Sequence, residues 1–341
     1  WIRLRHAVPF VIVGLAWFLG MLVPTIGLVQ IADASHADRY TYLPQIGLLI
    51  AVAWGMAHLA KRMVAPAPRH WLTAVAFLPV VLLAVAGHRQ TSYWRTDGTL
   101  WAHAVECDAE NVHAQCSLAT ALEGSNDADA KSHYEQALEL ITARAHEEES
   151  LRAKANNGLG NIALRQGDLA EAIAQYEQAV ELTPPTSQAA GFEMNLGRAL
   201  TKAGEFDDAL AHFQRILELD PAAAPLAYRS MGIALAEQGN LDAAIAKLEE
   251  AVRLDPGLGI GHVTLGLVLA RHGDAEDAIG HFRRAIALDP FVAYPTYPDV
   301  AFPYLKLAGL LHEQGRTAEA ADCEREAVAV RRKHAAALAG Q

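Results

Sequence analysis

The stretch ADASHADRYTYLP at 32–44 packs His36, Asp33, Asp38, Arg39, Tyr40 and Tyr42 together. A guanidinium offers a planar fork of N–H donors that matches phosphate oxygens, so Arg39 is the phosphate ligand this set would use. His36, Tyr40 and Tyr42 are its near neighbours in the chain. The two tyrosines serve equally well as amphipathic anchors at a headgroup boundary, with Asp38–Arg39 as a local ion pair. A second set, Lys154, Asn157, Asn161, Arg198, Lys202 and Arg229, supplies amides and cations suited to a peptide backbone or a carboxylate. Cys107 and Cys116 form a third. A disulfide would join them in an oxidising compartment; two small buried thiols are the alternative. No Gly-rich phosphate loop, HExxH, GxSxG or CxxC occurs in the chain, and no metal-ligand spacing stands out. His262, His272, His281 and His312 read as solvated helix residues. Asp207–Asp208, Glu249–Glu250 and Glu276–Asp277 read as solvated helix faces.

The elements that must hold these sets divide by charge. Residues 1–90 carry seven Lys+Arg against two Asp+Glu, whereas 91–341 carry 21 against 37, within a net charge of −11. The apolar content of 52% excludes disorder, and three cysteines exclude a disulfide scaffold. A net acidic chain of this kind has no nucleic-acid partner. Ala7–Ile31 is 25 residues without a charge, Leu43–Ala60 is 18 and Trp71–Gly87 is 17. Such runs predict three transmembrane helices over about 7–31, 43–60 and 71–88, with membrane lipid around them. Pro9, Pro24 and Pro79 fit membrane helices better than soluble ones. Arg3 and Arg5 precede the first span, and Lys61, Arg62 and Arg69 lie between the second and third. The positive-inside rule therefore keeps the amino end and residues 61–70 in the cytoplasm. Loop 32–42 and everything after His88 then lie outside. Trp1 in place of Met suggests a piece of a longer protein.

After His88 the sequence repeats. GFEMNLGRALTKAGEFDDALAHFQRILELDP (191–221) is followed by similar stretches at 227–256 and 261–290. Gly160, Gly197, Gly232 and Gly266 mark one small position; Gly167, Gly204, Gly239, Gly273 and Gly315 mark a second. Ala172, Ala209, Ala244, Ala278 and Ala320 mark a third, with Tyr176, Phe213, Leu248 and Phe282 four residues beyond the first four of these. Pro184, Pro221, Pro256 and Pro290 close the units. The first glycine lets two helices approach, the second ends helix A, and the proline stops helix B. These markers resemble the tetratricopeptide repeat, a helix–turn–helix unit of about 34 residues. The expected fold is all-α: three transmembrane helices, then an α-solenoid of about six units. A junction helix lies in 91–111, the array in 112–333 and a tail in 334–341, with insertions at 141–154 and 291–298. The candidate groove residues lie on the A helices, and later repeats present Ile233, Val263 and Leu267, making the groove polar at one end and apolar at the other. The expected partners are protein or peptide ligands.

ADRYTYLP at 37–44 and WRTDGTLWAHAVECDAEN at 94–111, followed by the repeats, resemble the carboxyl-terminal part of bacterial membrane proteins related to the transmembrane-and-TPR protein O-mannosyltransferases. The resemblance implies a multi-span GT-C glycosyltransferase with a polyprenyl-phosphate sugar donor, in the bacterial inner membrane, its repeats on the periplasmic side. It implies donor-phosphate roles for Arg39, His36, Tyr40 and Tyr42. Members place their catalytic acids in a first outer loop that has no counterpart here, so Asp33 and Asp38 are not assigned that role. The chain itself is expected to hold no cofactor and no complete active site. A membrane-anchored scaffold for an envelope complex is the competing expectation.

Overall fold

Each repeat's two helices are forced together by where the sequence places its smallest residues. A computed structural model describes residues 91–144, 149–291 and 299–339, with Val85 and His88 before them. The first two expected spans, the 32–44 loop and all of the third span except Val85 and His88 lie outside the described residues. No helix among the described residues is long and apolar enough to cross a membrane. The chain divides into two units, Trp1–Tyr93 and Trp94–Gln341.

The second unit contains thirteen α-helices and no strand among the described residues. A lone helix, α1 (Asp97–Cys107), opens it with a reciprocal Thr96–Thr99 capping box. Six helix pairs follow. They are α2 (Val112–Leu122) with α3 (Asp127–Arg144), α4 (Glu149–Gln166) with α5 (Leu169–Glu181), and α6 (Ser187–Ala203) with α7 (Phe206–Leu219). Then come α8 (Ala224–Gln238) with α9 (Leu241–Leu254), α10 (Gly259–His272) with α11 (Ala275–Leu288), and α12 (Phe302–Glu313) with α13 (Thr317–Ala339). Each helix packs on the next, so the apolar core runs as linked clusters along the stack rather than as one centre.

In the third pair, a Cβ added to Gly197 would sit 2.5 Å from Cε1 of Phe213, so only glycine admits this contact. Ala209, one turn before Phe213, is fully buried against the neighbouring helices. Gly204 ends α6 in the left-handed region at φ 86°, which a Cβ would disfavour. The tight turn lets Glu205 start α7 at once. Helix α7 stops at Leu219, immediately before Asp220 and Pro221, as proline requires.

Two segments differ from the sequence reading. The insertion at 141–154 is largely helical, because α3 runs on to Arg144 and α4 begins at Glu149, with Ile141 and Ala153 buried. Residues 334–339 of the expected tail continue α13, since no Gly or Pro interrupts the alanine-rich run before Gly340.

Candidate functional site

The helix-A glycines aim their neighbours. Gly160, Gly197, Gly232 and Gly266 press on helix B, so the residue one step on, rotated by about 100°, turns towards the groove lined by the A helices. Register carries this row through Thr120, Asn161, Arg198, Ile233, Leu267 and Gly309. One turn later, and so on the same face, come Arg165, Lys202, Glu237, Arg271 and Glu313.

Two cavities lie along the row. The amino-end cavity, about 600 Å³, is lined by Trp101, His113, Thr120, Lys154, Asn157 and Asn161 among others. Trp101 and His113 meet edge to face, with centroids 5.3 Å apart. Behind them lies a hydrogen-bonded wall. Tyr134 donates to Glu123 Oε1 at 2.6 Å, and Asn161 Nδ2 donates to Glu123 Oε2 at 3.2 Å. Asn161 Oδ1 in turn accepts from the Tyr176 hydroxyl at 2.8 Å. Arg165 grips Asp127 through two bonds of 2.9 and 2.8 Å, which holds that carboxyl below the usual range. Burial, reinforced by Glu123, pushes the Tyr134 phenol up. Burial pushes Tyr176 up to about 12, opposed by the nearby Arg198 charge. Both tyrosines therefore stay protonated donors within the wall.

The candidate groove residues separate into two groups. Lys154, Asn157 and Asn161 meet in the amino-end cavity. Asn161 is committed to the wall, and Asn157 accepts from Asn195 Nδ2 at 2.9 Å, a partner the sequence reading missed. Arg198 and Lys202 do not line that cavity; they are exposed on α6, further along the row. Among the described residues Lys154, Arg198 and Lys202 enter no ion pair, whereas Arg165, Arg215, Arg253, Arg283, Arg316 and Arg331 all meet carboxylates. Arg229 is half-buried and donates to Thr264 Oγ1 at 3.0 Å. Thr264 belongs to the second cavity, about 640 Å³, with Ile233, Leu267, Phe302, Leu305 and Leu310 as apolar lining. Val263 is not exposed there; it is fully buried in the core.

Four further pairs were invisible in the sequence. Each joins helix A, four residues before the packing position, to helix B some 18 or 19 residues on. His133 Nδ1 lies 2.7 Å from Gln115 Oε1, and His212 Nδ1 lies 2.5 Å from Glu193 Oε2. Lys247 sits 5.4 Å from the Tyr228 ring centroid. His262 and His281, expected to be solvated, instead face each other Nδ1 to Nδ1 at 2.9 Å, with His262 only 8% exposed. The constant spacing is the one sequence signal that links these pairs, and it only becomes informative once the helices are paired.

Burial lowers the pKa of both His262 and His281, and His262 lowers His281 further. Arg284 adds to the effect at His262, while the Pro256 carbonyl and Asp255 oppose it; Asp277 opposes it at His281. The folded pair thus takes up protons less readily than the unfolded chain, where histidine titrates near about 6.5. Stability present above that pH is lost as the pH falls through it. Urea midpoints compared between about pH 7.5 and 5.5 should fall more in the parent than in a His262→Asn/His281→Gln variant. Equal slopes would remove the pair from this role.

The disulfide admitted by the cysteine spacing is not formed. Cys116 is buried on α2 with its Sγ 4.0 Å from the Leu151 carbonyl, while Cys107 is exposed at the end of α1, 3.7 Å from His103 Nε2. The thiols thus belong to different environments, and Cys323 is half-buried on α13. Arg39, His36, Tyr40 and Tyr42 lie outside the described residues.

Two models, each described as tetratricopeptide repeat, match the chain, at 194–259 and at 112–184 with 258–333. Protein O-mannosyl-transferase Tmtc3 of Drosophila melanogaster is 25% identical over 183 residues, covering 53% of this chain and 19% of that protein. The match therefore spans about a fifth of that relative's length. The crystal structure of PilW, a widely conserved type IV pilus biogenesis factor, aligns with TM-score 0.51 at 19% identity, over 63% of this chain and 91% of that one. YrrB, a TPR protein with an unusual peptide-binding site, aligns with TM-score 0.41 at 26% identity, over 56% and 92% of the two chains. Matched repeats cover more than half of the sequence, and their glycine-packed helix pairs recur through the described unit. The chain belongs to the tetratricopeptide-repeat proteins.

Proposed function

We propose that this array binds protein or peptide acceptors for a membrane glycosyltransferase, and that it does so outside the cytoplasm of a bacterial cell. The observation that carries the binding reading is the groove itself: exposed Lys154, Arg198 and Lys202, which meet no carboxylate among the described residues, beside the hydrogen-bonded Asn157 and Asn161, in a chain of net charge −11. Such a face attracts carboxylates that the rest of the array repels. The link to glycosyl transfer rests on the likeness to Tmtc3 and on the ADRYTYLP loop. In this reading a polyprenyl-phosphate sugar donor meets Arg39, His36, Tyr40 and Tyr42 at the membrane edge, the three uncharged runs anchor the chain in lipid, and the repeats present the acceptor.

Two measurements on the full chain test it. A fluorescent glutamate-rich peptide should bind, and Arg198→Glu/Lys202→Glu should weaken it by at least about tenfold, a difference that shrinks at high salt as the exposed charges are screened. Equal affinity would reduce these cations to surface decoration. For orientation, a membrane-impermeant thiol reagent should label Gln166→Cys and spare Ala65→Cys in intact cells lacking the native thiols. The opposite labelling refutes the placement.

A further inference from the structure

The groove row changes character halfway. It runs Thr120, Asn161, Arg198 over the first three repeats and Ile233, Leu267, Gly309 over the last three. Arg229 stands at the change, since Thr264, which accepts from it, lines the second cavity. That cavity has an apolar interior of Ile233, Leu267, Phe302 and Leu310, with Leu305 still 41% exposed. Of its four rim charges, Glu237, Arg271, Lys306 and Glu313, the first three have neighbours, whereas Glu313 is exposed and enters no ion pair among the described residues. Arg271 donates to the Ala236 carbonyl at 3.1 Å with Glu237 at 3.8 Å, and the Lys306 amine stands 5.4 Å from the Phe302 centroid. The second cavity therefore offers aliphatic and aromatic side chains beside two acidic and two basic residues that balance in charge, continuous in register with a cationic face.

We infer that the groove takes one extended peptide at two anchors: an acidic block over Lys154, Arg198 and Lys202, and an aliphatic side chain, leucine or similar, in the cavity between α10 and α12. Charge complementarity selects the acidic end, because in an acidic chain this face carries exposed cations that meet no carboxylate among the described residues. Burial of one aliphatic side chain supplies the second anchor. Neighbouring A helices pack at roughly 8–10 Å and an extended peptide rises about 3.3 Å per residue, so about six residues separate the anchors. The inference rests on the peptide-binding reading and adds the chemistry and order of the ligand.

Three fluorescent peptides test it on the full chain: a glutamate block alone, the block joined through about six Gly/Ser residues to leucine, and the same peptide with serine for leucine. The leucine peptide should bind about tenfold tighter than the serine peptide. Leu267→Glu should erase that difference while leaving the glutamate block's affinity unchanged. Leu305→Glu, at an exposed position, should do the same without risk to folding. Equal binding of the leucine and serine peptides overturns the second anchor and leaves the acidic one standing. Failure of all three peptides overturns the groove reading and this inference with it. Concentration-dependent dimerisation abolished by Leu305→Glu would assign the slot to a second copy of the chain and overturn the inference.

Discussion

Phe213→Ala lowers the stability of the array by about 3–5 kcal/mol, read as a fall in the urea midpoint. The ring is 1% exposed and fills the gap between α6 and α7, against Gly197 and beside Ala209. Its cluster continues into Tyr176 of the second repeat and Met231 of the fourth, so a defect in the third repeat weakens the core it shares with both neighbours. Repeat arrays hold together through nearest-neighbour interfaces. A defect in the third unit should therefore also reduce the m-value, as the flanking units begin to unfold separately. Gly197→Ala, which overpacks the same space, should cost about 1–3 kcal/mol in the parent but much less in the Phe213→Ala background. Additive effects would mean that the two residues do not share this gap.

Glu193→Ala costs about 3 kcal/mol, and Glu193→Gln clearly less. The Glu193 side chain is 0% exposed and is held by His212 Nδ1 at 2.5 Å and Arg215 Nη1 at 3.2 Å. Alanine leaves a cavity and strands two donors at its edge. Glutamine keeps the shape and an acceptor for His212. His212 and Arg215 retain contact with water, which places the alanine cost at the low end of the range for broken buried pairs. Denaturant titrations of the two variants check the order, and an equal loss in both would show that charge, not shape and acceptor, matters at this site.

Much of the fold could be read from the chain because its markers are backbone-level demands. Gly204 at φ 86° and Gly197 under the Phe213 ring admit no other residue without strain, so they recur in register and can be seen without coordinates. Proline at 184, 221, 256 and 290 is equally visible, since it cannot extend a helix. The groove was readable in part. Asn161, Ile233 and Leu267 stand beside the packing glycines, and the change from polar to apolar follows from that register.

What register could not reveal was which polar residues meet. Gln115, Glu193, Tyr228 and His262 share one slot but no chemistry, and their partners lie 18 or 19 residues away on the other helix of each pair. A sequence read one helix at a time places His262 on a solvated face; the crossing of helix A over helix B buries it. The same crossing turned Val263 into the core. By itself, then, the sequence determined the repeat, its length and the face that carries the groove, because these follow from the local geometry of glycine, alanine and proline. Only the tertiary structure decided which charges are held in the wall, which stand open to a ligand and which pair inside, because burial and partnership arise where two helices meet.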